Sequence, residues 1–284
     1  MTERHPANAP GDWYVDKRCT DCGAARIVAP GLIVEKSGQS VFARQPATDA
    51  ERLMAWRARL LCPTASVRTE SHAVPPDDVF PEKLTGGVYR LGYNAASSYG
   101  AHSFAIRRKS GNAMVDAPRW TGAVRKIFED WGGLVDILLT HRDDIADAER
   151  YAAHFDARVW IHKADRSAAR FATNILEGTE PFAIGEDLLA IPVPGHTKGS
   201  VAYLFEGRAL FTGDSLAWDL EEGDLAAWRD YCWYSWEEQA KSLCRLLDYS
   251  FEWVLAGHGG SHGLPPAEMR SRLARLVERM GKEK

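Results

Sequence analysis

Four apolar runs in this 284-residue chain end abruptly in histidine or aspartate. Leu138-Leu139-Thr140 runs into His141-Arg142-Asp143-Asp144, with Asp147 shortly after. Ile191 to Pro194 runs into Gly195-His196-Thr197, and Leu210-Phe211-Thr212 into Gly213-Asp214. Trp253-Val254-Leu255 runs into Ala256-Gly257-His258. Short apolar runs bounded by such turns read as strands, and loops at strand ends are where a rigid scaffold carries its chemistry. Imidazole and carboxylate together suit Zn, Fe or Mn. One His-Gly turn alone says little, whereas four strand ends with the same chemistry point to a shared metal site. A second constellation, Cys19-Thr20-Asp21-Cys22 with a distant Cys62-Pro63, offers thiolates for a softer metal centre.

The elements that must position these residues change texture along the chain. Residues 1–75 read as a small unit with a polar N-terminal tail, short elements and one helix over Asp49–Leu61. Such a segment buries little core and needs a metal staple or a larger body to dock on. Val74-Pro75-Pro76-Asp77-Asp78-Val79-Phe80-Pro81 reads as an extended connection. Residues 76–284 form the second unit, where β-rich runs begin at Val88 and end at Leu255. Helical patterns lie near Thr121–Asp130, Asp147–Phe155, Ser235–Leu247 and Pro265–Met280. Strands in runs as well as in alternation with helices predict an α/β fold with a sheet-rich core and helices outside.

A net charge of −4 argues against a nucleic-acid binder held by phosphate charge, and there is no apolar run of membrane-spanning length. Met1-Thr2-Glu3-Arg4-His5-Pro6 lacks the apolar core of a secretory signal, so the expected compartment is the cytoplasm. There the five cysteines read as thiols or metal ligands rather than disulfides. Cys232 and Cys244 have no partner motif and read as small buried hydrophobes. The aromatic segment from Trp218 to Trp236 walls a substrate pocket, docks the N-terminal unit, or simply packs in the core.

From Gly86 onward the chain resembles the metallo-β-lactamase superfamily. The residues that carry the resemblance are His141-x-Asp143, Pro194-Gly195-His196-Thr197-x-Gly199-Ser200, Thr212-Gly213-Asp214, Gly257-His258-Gly259 and the opening Gly86-Gly87-Val88-Tyr89-Arg90-Leu91. It implies an αββα sandwich with one or two Zn or Fe ions at one edge. The usual first motif is H-x-H-x-D-H, and here the second His is Asp143. Without a gap the D-H pair falls on Ile145-Ala146; with a two-residue shift it falls on Asp147-Ala148, the alignment preferred here. The roles then implied are His141, Asp143 and His196 for the first metal and Asp214 as bridge. Asp147 and His258 would hold the second metal, with Asp147 as candidate base if only one metal is bound. His154 and His162 are the nearest substitutes for the lost imidazole and read as structural. His102 and His262 have no motif context.

The cysteine segment, about residues 12–71, resembles a single-cluster ferredoxin. Tyr14-Val15-Asp16, Ala29-Pro30-Gly31 and Cys62-Pro63-Thr64-Ala65-Ser66-Val67 carry it along with the cysteines. That resemblance implies an iron–sulfur cluster on Cys19, Cys22 and Cys62, one ligand short because Ala25 stands where a fourth Cys is expected. Three thiolates could hold a three-iron cluster, a four-iron cluster with a non-Cys ligand, zinc, or nothing.

Together these readings predict a metal-dependent hydrolase of a small ester, thioester or lactone-like substrate. The alternatives are a non-catalytic binding or sensing protein, in keeping with a ligand missing from each constellation, and an oxidoreductase passing electrons between an Fe–S cluster and a di-iron centre. Neither a nucleic acid nor a membrane is an expected partner.

Overall fold

The computed structural model describes residues 3–71 and 73–282. The N-terminal part comprises β1 (Trp13–Val15), α1 (Ala24–Val28), β2 (Ile33–Lys36), β3 (Gln39–Phe42), α2 (Asp49–Leu61) and β4 (Val67–Thr69). β1 pairs antiparallel with β4, and β2 with β3. A capping box starts α2: Thr48 accepts from the Glu51 backbone while the Glu51 carboxylate accepts from the Thr48 backbone. The expected loose tail is docked instead. Asn8 is buried, and its side chain bonds both backbone groups of Val15 and the Phe42 N–H. The Val74–Pro81 connection also ends inside a core: Val79 and Phe80 pack with Trp13, Phe42, Trp56 and Leu61.

The remainder begins with β5 (Glu82–Thr85), β6 (Val88–Arg90), β7 (Phe104–Ile106), β8 (Ala113–Val115), α3 (Gly122–Asp130), β9 (Asp136–Leu138), α4 (Ala148–Phe155), β10 (Arg158–His162) and β11 (Asn174–Leu176). It continues with β12 (Phe182–Ile184), β13 (Leu188–Pro192), β14 (Val201–Phe205), β15 (Ala209–Gly213), β16 (Ala217–Asp219), β17 (Asp224–Ala226), α5 (Trp236–Arg245), β18 (Trp253–Ala256), β19 (His262–Gly263) and α6 (Pro266–Lys282). One sheet has the order β11-β10-β9-β8-β7-β6-β5, the other β12-β13-β14-β15-β18-β19.

The alternation of side chains across each strand builds the layers. In β14, Val201, Tyr203 and Phe205 face the inter-sheet core with Phe104, Leu138 and Phe211. Ala202 and Leu204 face the opposite way, onto Leu243 of α5 and Leu273 of α6. In β8, Ala113 and Val115 join the inter-sheet core, while Met114 meets Val124 and Phe128 of α3. Strands buried on both faces read as continuous apolar runs, which is why they stood out in the sequence. The result is helix–sheet–sheet–helix, with parallel β9 and β15/β18 delivering their C-terminal ends to one edge.

Candidate metal centre

His141 lies just beyond β9, and Thr140 fixes its ring. Thr140 Oγ1 donates to Asp116 Oδ2 at 2.8 Å and lies 2.9 Å from His141 Nδ1. With that hydroxyl proton on Asp116, Nδ1–H donates to Thr140 and Nε2 keeps its lone pair. His196 is fixed likewise: Nδ1–H donates to the Tyr231 carbonyl at 2.7 Å. The two rings are perpendicular, with centroids 4.7 Å apart. Both Nε2 atoms are buried and have no hydrogen-bond partner. Each lies 3.6 Å from Asp214 Oδ2. Asp143 Oδ2 is 3.5 Å from His196 Nε2 and 3.8 Å from His141 Nε2. A tetrahedral ion with bonds of about 2.1 Å has ligand–ligand edges of about 3.4 Å, close to these separations. Burial pushes His141 down to about 4, so its imidazole is neutral at neutral pH, as a ligand must be.

The second triad is Asp144, Asp214 and His258, with one ligand atom of each within 4.8 Å of the others. Asp144 is buried, and neither of its carboxylate oxygens has a partner. Burial, and then the neighbouring Asp214 charge, raise it well above the ordinary carboxyl range. Asp214 behaves oppositely: burial works to raise it, but His258, His141 and His196 outweigh that and hold it low. Burial tends to lower His258, yet Asp214, 2.9 Å from Nδ1, raises it to about 10. Gly257 makes the approach of the carboxylates workable, because a Cβ there would sit 2.7 Å from Asp144 Oδ2 and 2.8 Å from Asp214 Oδ1. Two buried carboxylates side by side, one without a partner, are costly unless a cation lies between them. Unpaired imidazole nitrogens and carboxylate oxygens converging on Asp214 therefore fit one or two divalent ions.

Asp147 is not part of this cluster. It stands before α4, and its Oδ2 accepts from the Trp120 backbone N–H at 2.6 Å, tying the loop after β8 to the helix. Asp144 faces the position the sequence reading gave to Asp147. The turn from Thr140 to Asp147 sets which carboxylate points inward, with Ala146 in the left-handed region at φ 40°. Two further residues escaped the sequence reading. Asp165 is buried and accepts from the Arg142 N–H and the Thr197 hydroxyl, locking the His141 and His196 loops together. Asp116 acts through Thr140. Neither residue has motif context: Asp116 ends the apolar run Ala113-Met114-Val115, whereas Asp165 sits among Lys163, Ala164 and Arg166 with no such signal. His154 bonds Glu129, and His162 bonds the Gly178 carbonyl and the Ala164 N–H, away from the cluster. His102 is buried beside Asn94, and His262 stacks on Trp218 at 3.9 Å.

The aromatic segment divides. Trp218 is core, whereas Tyr231 and Trp233 are about two-thirds exposed beside the metal cluster. Trp233 N–H donates to the His196 carbonyl, and the Trp233 ring lies 6.1 Å from the His196 ring. Cys232 donates to the Gly195 carbonyl, and Cys244 is exposed on the surface of α5, not buried as expected.

Cys19, Cys22 and Cys62 line one cavity with Ala25. Backbone N–H groups of Asp21 and Ser66 point at the Cys19 and Cys62 sulfurs at 3.4 and 3.2 Å. Burial, the largest influence, pushes Cys22 up to about 11. The loop before β7 separates this cavity from the metal cluster. Its Tyr99 hydroxyl donates to the Thr20 carbonyl, and its Tyr99 carbonyl lies 3.4 Å from His258 Nε2. Gly100, at φ +85°, lies against Cys22 so closely that a Cβ would be 2.8 Å from the sulfur.

The αββα layers and the His/Asp cluster at one sheet edge define the metallo-β-lactamase fold. The chain has that fold, with a ferredoxin-like domain ahead of it. Residues 15–69 match the 4Fe-4S single cluster domain of Ferredoxin I. A hydroxyacylglutathione hydrolase from Fuscovulum blasticum is 40% identical over 108 residues, covering 37% of this chain and 42% of the relative. One from Acidiphilium cryptum (strain JF-5) is 35% identical over 119 residues, covering 40% and 49%. The chain thus spans under half the length of these curated relatives. Among solved structures, DIM-1 metallo-β-lactamase superposes with a TM-score of 0.53 at 16% identity, over 70% of this chain and 96% of that one. BJP-1, a subclass B3 metallo-β-lactamase of Bradyrhizobium japonicum, gives 0.51 at 13%, over 71% and 92%. These likenesses bear on the fold. Among the described residues no helix is long and apolar enough to cross a membrane.

Proposed function

We propose that this protein is a metal-dependent hydrolase of a small thioester or ester. The observation that carries the reading is the convergence of unpaired, buried His141 Nε2, His196 Nε2 and Asp144 carboxylate on Asp214. His141, Asp143, His196 and Asp214 would hold one ion, Zn or Fe, and Asp214, Asp144 and His258 a second. Ions in such sites supply Lewis-acid polarisation of a carbonyl and a water nucleophile active at neutral pH. The chain's own residues set the conditions for that chemistry. Thr140 and the Tyr231 carbonyl lock the two imidazole tautomers. Asp165 holds the two His loops in register. Tyr231 and Trp233 offer an exposed aromatic face at the mouth, suited to the apolar part of a substrate. Thioesters come first because the aligned relatives are hydroxyacylglutathione hydrolases. The test is turnover of a panel of thioesters, esters and lactones by wild type and His196→Ala. Thioester hydrolysis lost in the variant supports the reading, and equal rates in the two proteins would overturn it.

A second reading, an oxidoreductase coupling an Fe–S cluster to iron in the His/Asp site, is favoured by one contact. The Tyr99–Gly100 loop touches Cys22 on one side and His258 on the other. Spectra in which dithionite reduction of the cysteine site is followed by reduction at the His/Asp site would establish that route; a zinc-only His/Asp site would exclude it.

A further inference from the structure

A cavity of about 470 Å³ lies between the two parts of the chain, apart from the cysteine cavity and the metal cluster. One wall runs from the loop before α1 into β2 of the N-terminal domain, and the other is the β16 strand and its turn, with Trp228. Pockets of about 300–1,000 Å³ at domain interfaces are where small organic molecules bind.

The walls are apolar. Ile27, Ile33 and Val34 line one side, and Leu220 and Trp228 the other. Leu220 is 44% exposed and Trp228 36%, so both keep surface free for a ligand. The Trp228 indole is held at one end, because a Cβ on Gly259 would come 2.9 Å from its ring. Trp218 also lines the cleft, but its ring is occupied by His262, stacked 3.9 Å away, and by the Arg272 guanidinium. Asp224 and Glu268 in turn pair with Arg272.

The charges select the ligand. Three carboxylates line the cleft, Glu35, Asp219 and Glu221, against one guanidinium, Arg26. Arg26 is already neutralised, since it pairs with Asp21 and donates to Ser40 at 2.7 Å. Asp219 accepts from the Glu221 and Glu222 N–H groups, and Glu35 from the Gly38 N–H. Those bonds place the carboxylates without cancelling their charge. An apolar cleft edged by charge of one sign concentrates the opposite ion. An ammonium close to an indole face gains cation–π attraction besides.

We propose that this cleft binds a small aromatic amine, its ring between Trp228 and the α1–β2 wall and its ammonium toward the carboxylate rim. The site is distinct from the metal centre, and the proposal does not depend on the hydrolase reading.

The experiment titrates the metal-loaded full chain with tryptamine and with tryptophol, in which a hydroxyl replaces the ammonium, by isothermal calorimetry. Tryptamine should bind one per chain, about tenfold more tightly than tryptophol. Glu35→Gln combined with Glu221→Gln should bring the two affinities together. Val34→Trp, which fills the cleft from β2, should weaken both. Glu35 and Glu221 are exposed and Val34 is half-buried, so these changes leave the core in place, and urea unfolding of each variant checks that they do. Equal affinity of wild type for the amine and the alcohol would overturn the cationic ligand class. Tryptamine binding that survives Val34→Trp unchanged would lie elsewhere and overturn the site. No heat from either compound at millimolar concentration would overturn it too.

Discussion

Asp144→Asn separates a metal ligand from a buried structural carboxylate, because the stability it adds should shrink when metal is bound. In the metal-free protein both Asp144 oxygens are buried without a partner beside Asp214. Its folded carboxyl is raised well above the ordinary range, chiefly by burial. The folded group therefore keeps its proton while the unfolded one releases it near pH ~3.9. Stability from this group is fully present below that pH and is lost as pH rises toward the raised value. Asparagine has no such proton to lose. An unsatisfied buried polar group costs about 1–3 kcal/mol, and more when charged. Metal-free Asp144→Asn should therefore be more stable than wild type by about 1–3 kcal/mol at pH 7, and by less at pH 5. With metal that advantage shrinks. Metal at 100 times its dissociation constant adds about 2.7 kcal/mol of stability, and a tenfold loss of affinity removes about 1.4 of it. Urea unfolding of both proteins at both pH values, with chelator and with saturating zinc, reads all these quantities. A variant less stable than wild type even with chelator would show that Asp144 serves the fold, and the two-ion reading would fail.

Two other substitutions probe the same site. Thr140→Val removes the hydroxyl between Asp116 and His141, and should weaken metal binding about 10–100-fold with the fold intact; unchanged affinity in a competition titration would refute the tautomer argument. Asp147→Ala breaks the bond to the Trp120 N–H and should cost about 1 kcal/mol on unfolding while metal content stays at the wild-type level. Loss of a metal ion in that variant would restore Asp147 to the ligand set.

How far the sequence reveals the site depends on how local each residue's job is. His141, His196, Asp214 and His258 were legible because each follows a strand with its own short motif, and the fold brings all four to one edge. The choice between Asp144 and Asp147 was not legible. It turns on the path of a tight loop whose Ala146 is in the left-handed region and whose Asp147 is claimed by a backbone N–H from the loop after β8. Asp116 and Asp165 act through partners 24 and 32 residues away, a separation no local pattern reveals. The polar edge strand β5 lies between the expected connection, which ends at Pro81, and the first expected β-run at Val88, and was assigned to neither. Glu82, in that strand, pairs with Arg57 of α2 and Arg90 of β6, contacts visible only after folding.

The central claim is that the His/Asp cluster is a live metal centre. Elemental analysis of anaerobically purified wild type and His196→Ala, normalised per chain, tests it most directly. The account predicts that the variant loses at least one zinc or iron ion while its labile sulfide is unchanged. Equal metal content in the two proteins would contradict it.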